Sequence, residues 1–171
     1  MKRNPIDERE RPAGRRLLLT GTPGCGKRSL GNLLAATHPF VHVDLDSPRF
    51  TGHDSEAIWA ELEAKLEEGA DAVATWTPSS KTDIPLLEVI QENGFEWIWL
   101  DGDFGAALHA AFGDLDGLAG PRLVDAFEPD GTFRPLEPVL AEILEPMPSS
   151  LEAARSARRP LVAQEASAHR A

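Results

Sequence analysis

Leu17-Leu18-Leu19-Thr20 runs straight into Gly21-Thr22-Pro23-Gly24-Cys25-Gly26-Lys27-Arg28-Ser29, and this stretch restricts the fold more than any other. The apolar run suits a buried strand. The glycines after it let successive backbone N–H groups turn inward with no Cβ in the way, so the loop can wrap an anionic phosphate. A helix starting near Lys27 would aim its unsatisfied N–H groups and positive dipole end at the same point. Lys27 is then placed to reach the β- and γ-phosphates of a nucleotide. A strand, this loop and a helix in that order predict a parallel α/β sheet with the ligand at its carboxyl edge.

The rest of the chain alternates strand and helix patterns, as a three-layer α/β/α sheet requires. Strands are expected at 16–20, 41–45, 71–76, 96–100 and 123–127. Helices are expected at 27–36, from a cap at Asp54 or Ser55 to Gly69, from a cap at Asp83 to Asn93-Gly94, and at 135–144. Segment 104–112 is helix-like but short. One domain, residues 15–148, lies between a polar arm (1–14) and an Ala/Arg-rich tail (149–171).

Charge narrows the partners. The chain has a net charge of −11, and residues 17–148 hold seven Lys/Arg against twenty-three Asp/Glu. So acidic a body repels a phosphate backbone, which argues against nucleic acid as a partner. Any phosphate site must draw on Lys27, Arg28, Arg49, Lys65, Lys81, Arg122 and Arg134. No apolar run approaches a membrane span, and no secretory signal is evident. The single cysteine excludes an internal disulfide, and a cytoplasmic protein is expected.

Candidate functional residues cluster beyond the strand ends. Asp44 and Asp46 form an Asp-x-Asp at the end of the second strand, where carboxylates could hold Mg²⁺ or orient an acceptor hydroxyl. Arg49 follows as a planar fork for an anionic acceptor, with an ordinary surface arginine as the plainer reading. Asp101, ending Trp97-Ile98-Trp99-Leu100, is a rival for the metal. Lys81 follows the third strand, and Trp76 at its tip is either core or a stacking surface. Arg134, in the turn after the fifth strand, is a candidate for the nucleotide base. His42 reads as core. Cys25 sits near a helix N-terminus and Lys27, a setting for redox or alkylation sensitivity, though a small packing residue is the simpler reading.

One position of the loop is irregular. The residue after the lysine is usually Ser or Thr, whose hydroxyl helps hold Mg²⁺; here it is Arg28, with the hydroxyl at Ser29. One step along a helix is a rotation of about 100°, so the two side chains cannot do the same job. The loop resembles the adenylate-kinase form, in which Pro sits two residues after the first Gly, and Gly then Thr follow the Lys. In that register Ser29 matches the Thr as the hydroxyl near the metal. Arg28 replaces a Gly, either adding charge at the phosphates or pointing to solvent.

With Asp44-Leu45-Asp46, residues 15–146 resemble the nucleoside-monophosphate kinase group of P-loop proteins, including its shikimate and gluconate kinase branch. The resemblance implies a five-stranded parallel sheet ordered 2-3-1-4-5, ATP with Mg²⁺, and phosphoryl transfer to a small acceptor. Lys27, Asp46, Arg49 and Lys81 would serve catalysis, and Ser29, Asp44 and Asp46 the metal. Two features depart from the group. Residues 101–121, where its lid arginines belong, contain no Lys or Arg, and the glycine-rich acceptor turn after strand three is replaced by Thr77-Pro78-Ser79-Ser80-Lys81. An alternative follows: a nucleotide-binding module or slow NTPase that reports occupancy to a protein partner.

Overall fold

Alternation along the strands determines the layers. In a computed structural model of the chain, which describes residues 14–66, 70–100 and 120–146, the first strand β1 (Arg16–Gly21) buries Leu18 on one face of the sheet and Leu17 and Leu19 on the other. Period-two side-chain geometry requires this. A strand apolar on both faces must be covered twice, so it belongs at the centre of a parallel sheet.

Around it lie β2 (Phe40–Asp44), β3 (Asp71–Thr75), β4 (Phe95–Leu100) and β5 (Arg122–Val124), all parallel, in the order β2-β3-β1-β4-β5. Helices α1 (Lys27–Thr37) and α4 (Leu136–Leu144) cover the Leu17/Leu19 face through Leu30, Leu34, Val139, Leu140 and Ile143. Helices α2 (Ser55–Glu63) and α3 (Ile84–Glu92) cover the Leu18 face through Leu62, Leu86, Leu87 and Ile90. The three-layer architecture and the strand order agree with the sequence. No described helix is long and apolar enough to cross a membrane.

Several local expectations change. Asp83 stands at the N-cap of α3 but makes no side-chain cap bond there: Ser80 caps a 3-10 turn (Lys81–Asp83) that leads into it, and the Asp83 carboxylate reaches back to the N–H groups of Ser79 (2.6 Å) and Ser80 (3.0 Å). This is a capping box, which satisfies donors reciprocally. Helix α2 is shorter than expected. After Glu63 its bonds tighten to three-residue steps, Lys65 N–H to Leu62 O and Leu66 N–H to Glu63 O, and residues 67–69 lie outside the described ones. Strand β5 leaves the sheet after Val124 because Phe127 pairs instead with Phe133, closing a small antiparallel loop.

Trp76 is core, 8% exposed among Phe50, Leu86 and their neighbours, and offers no stacking surface. Asp101, segment 104–112, the tail from 149 and nearly all of the arm lie outside the described residues.

The end of the sheet opposite the loop is tied by charge. Glu96 accepts from Arg15 Nη2 (3.2 Å) and Arg122 Nε (2.7 Å). Both arginines also donate to carbonyls that end α4: Arg15 to Ile143 and Leu144, Arg122 to Glu142 and Ile143. Last-turn carbonyls have no partner within a helix, and cations there are favoured by the dipole.

Candidate functional site

At the carboxyl edge β1 turns into α1 through a loop that only glycine permits at two points. Gly21 has φ +145°, and a Cβ there would run into the Leu100 carbonyl of β4. Gly26 has φ +85°, and a Cβ there would overlap the ring of Phe133. Gly26 is the N-cap of α1, with no side-chain cap bond and no acidic residue in the first turn. Helix α2 differs: Asp54 accepts from the Ala57 N–H at 2.9 Å. The N-terminus of α1 therefore keeps its donors and positive dipole end for an external anion.

A cavity of about 360 Å³ opens there, lined by Pro23, Gly24, Gly26, Lys27, Arg28, Ser29, Asp46, Thr75 and Thr77. The remaining loop residues stand around it. Cys25 is fully buried in the α1/α4 core, which makes it a packing residue. Lys27 is 6% exposed and folds back on the loop, its Nζ donating to Gly21 O (3.0 Å) and Thr22 O (2.8 Å), with Cys25 Sγ at 3.7 Å. A buried ammonium needs such partners. Ser29 is exposed on the first turn of α1.

The two aspartates at the end of β2 take different environments. Asp46 accepts from both Thr77 N–H (2.9 Å) and Thr77 Oγ1 (2.6 Å), which clamps it against the end of β3. Asp44 instead receives Arg28 Nε at 2.7 Å, along with Asp46 N–H at 3.2 Å and Thr75 Oγ1 at 3.4 Å. Arg28 therefore does not simply point to solvent.

Thr75 extends this network: its hydroxyl lies 3.0 Å from His42 Nε2, and His42 Nδ1 lies 2.9 Å from Asn32 Oδ1 on α1. His42 is thus a half-buried strut between α1 and β3, packed over Gly31, where a Cβ would crowd its ring. Its core reading is corrected accordingly. Burial holds its pKa below the ordinary 6.5, with Asp44 pulling upward and Arg28 downward.

Two oxygen-donor side chains after the loop lysine and β2, Ser29 and Asp46, line the cavity. Among the described residues no group of three or more His, Cys, Asp or Glu could hold an ion. Ser29, Asp46 and the neighbouring Asp44 are hard oxygen donors. Mg²⁺ commonly takes only one or two carboxylates beside phosphate oxygens and water.

The other sequence candidates sit apart from this cavity. Phe50, buried, anchors the 3-10 turn Pro48–Phe50, and Arg49 lies with its guanidinium 4.3 Å over the Phe50 ring and 4.0 Å from Glu61. Arg49 lines a smaller cavity of about 250 Å³ with His42, Val43, Asp44, Ser47 and Lys65. Lys81 opens the 3-10 turn before α3, exposed, and lines neither cavity.

Arg134 donates to Asp125 O and, at 3.1 Å, to Glu142, and borders a third cavity of about 590 Å³ with Asp125, Phe127, Glu128 and Pro129. Phe133 connects this region to the loop by packing its ring on Gly26 and edge-on to Phe127 (5.4 Å). Sequence reasoning missed Phe133 and Thr75. Thr75 carried a signal, as a polar residue in an otherwise apolar strand; Phe133 carried none, because only the folded chain sets it against Gly26.

No protein-family model matches the chain. No curated protein matches it either. Among solved structures it is similar to a gluconokinase from Sinorhizobium meliloti 1021, at 17% identity and TM-score 0.50 over 84% of this chain and 94% of that one. It is also similar to a sugar kinase from Janibacter sp. HTCC2649, at 15% identity and TM-score 0.45 over 77% and 92%. At 17% identity the gluconokinase likeness speaks to fold alone, and with the 2-3-1-4-5 sheet it gives this chain the fold of the P-loop kinases.

Proposed function

We propose that the protein binds ATP with Mg²⁺ and transfers the γ-phosphoryl group to a small acceptor. One observation carries this reading: the uncapped N-terminus of α1 opens on a cavity that brings together Lys27, Ser29 and Asp46. Loop N–H groups hold the phosphates, and Lys27 leaves the Gly21 and Thr22 carbonyls to meet the incoming charge. Ser29, Asp44 and Asp46 would hold Mg²⁺, which when bound neutralises charge on the β- and γ-phosphates.

Asp46 receives the acceptor's proton, because of the two aspartates it is the one that lines the cavity. The acceptor oxygen bonds to the γ-phosphorus as the bond to the bridging oxygen of ADP breaks, and ADP leaves with that electron pair. The cavity beside Arg134 takes the base, while Arg49 and Lys81, the cations the sequence offered for the acceptor, lie outside the phosphate-loop cavity. Such transfer asks the protein for positioning and charge more than for covalent chemistry. Nucleic acid and membranes are not partners in this reading.

The absence of Lys and Arg from residues 101–121 favours a second reading, a nucleotide-binding module or slow NTPase acting through a protein partner. A coupled ATP assay against nucleoside monophosphates and small hydroxylated acceptors separates the two. Turnover with one acceptor, lost in Lys27→Ala, supports the kinase. Nucleotide binding without acceptor-stimulated turnover supports the module.

A further inference from the structure

We propose that Arg28 is the second cation of the phosphoryl-transfer site, meeting the γ-phosphate from the phosphate-loop helix and stabilising its charge in the transition state. This inference rests on the nucleotide-binding reading above. It starts from a deficit: residues 101–121 hold no Lys or Arg, so the charge that developing phosphoryl oxygens need must come from elsewhere.

The other arginines of the body are engaged away from the loop. Arg122 holds Glu96 and the end of α4. Arg134 is held by Asp125 O and Glu142, and Arg49 lies on Phe50 beside Glu61. Lys27 and Arg28 are the two cations among the residues that line the phosphate-loop cavity.

Arg28 is also held in a manner that suits the task. Its side chain is 62% exposed and is tied by Nε alone to Asp44 Oδ2. Among the described residues, its two terminal nitrogens make no hydrogen bond. The Asp44 carboxylate is itself fixed by Asp46 N–H and Thr75 Oγ1. The carboxylate is therefore fixed, while two donors of a planar fork stay available, the geometry that grips phosphate oxygens in pairs. An ion pair this exposed is weak, so a polyphosphate can draw the guanidinium from Asp44. The bland alternative is a strut that only ties α1 to β2.

Calorimetry on the full chain separates the two, with Mg-ADP alone and with Mg-ADP plus aluminium fluoride, a mimic of the transferring phosphoryl group. We expect the wild type to bind ADP–aluminium fluoride about 1000-fold more tightly than ADP, at the lower end of the scale on which such arginines act. Arg28→Ala should keep ADP affinity within about threefold and lose that gain, and Arg28→Lys should recover part of it as a point charge. Arg28→Gln, closer in shape, serves if the alanine variant melts early, and should behave as the alanine does.

The inference is overturned if Arg28→Ala keeps the wild-type preference, or if ADP and ADP–aluminium fluoride weaken together. A wild type that binds ADP but gains nothing from aluminium fluoride overturns it too. In these three cases nucleotide binding by the wild type stands. If the wild type binds neither probe, the functional reading itself falls and this inference with it.

Discussion

Lys27 folds onto its own loop because a buried ammonium must be hydrogen-bonded, and the Gly21 and Thr22 carbonyls are the acceptors in reach. A nucleotide offers it stronger, charged partners. Lys27→Ala should therefore weaken Mg-ATP binding by roughly 10- to 100-fold, on the order of 1.5–3 kcal/mol for a lost charge-assisted bond. Titration calorimetry reads this directly, and an unchanged affinity would remove the lysine from the site. His42 makes a second prediction at this scale. Its folded pKa lies below 6.5, so the unfolded chain binds more protons as pH falls through 6.5. Stability is then full above that pH and declines below it. Urea midpoints from pH 7.5 down to 5.5 should fall less steeply in His42→Gln than in the wild type; parallel curves would contradict this.

At the scale of elements, the contact of the 127–133 loop with α1 has a specific consequence. Gly26→Ala meets both a left-handed φ and the Phe133 ring. Strain of about 1–3 kcal/mol is expected from the backbone alone, visible as a lower melting temperature. Adding Phe133→Ala removes the ring but not the φ penalty, so the double variant should recover only part of the loss. The opposite end of the sheet offers a control away from the loop. Glu96→Ala leaves two arginines without their shared carboxylate and should cost about 2 kcal/mol of unfolding free energy, with nucleotide affinity retained. Lost affinity would mean that the two ends of the sheet are coupled.

For the whole molecule, a ligand that binds only the folded state stabilises it by mass action. Mg-ATP at a hundred times its dissociation constant should add about 2.7 kcal/mol, a rise of several degrees in melting temperature for a domain of this size. No shift at millimolar Mg-ATP would speak against both functional readings. The three layers themselves were legible in the residues. A triple leucine must be covered on both faces, and the helical faces of Leu30/Leu34, Leu86/Leu87/Ile90 and Val139/Leu140/Ile143 supply the cover.

What the amino-acid order determined unaided was local and periodic: the strand–loop–helix with its glycines, the alternation of elements, and the acidic body that leaves seven cations to choose from. These follow from the backbone's steric menu and from burial, which act between near neighbours. The assignment of partners was decided only when the chain closed. Asp44 and Asp46 look equivalent two residues apart, yet one meets Arg28 and the other Thr77. Trp76 turned inward and Phe133 came to rest on Gly26. Charges and rings find their counterparts across tens of residues, and that proximity is set by packing, which no spacing along the chain encodes.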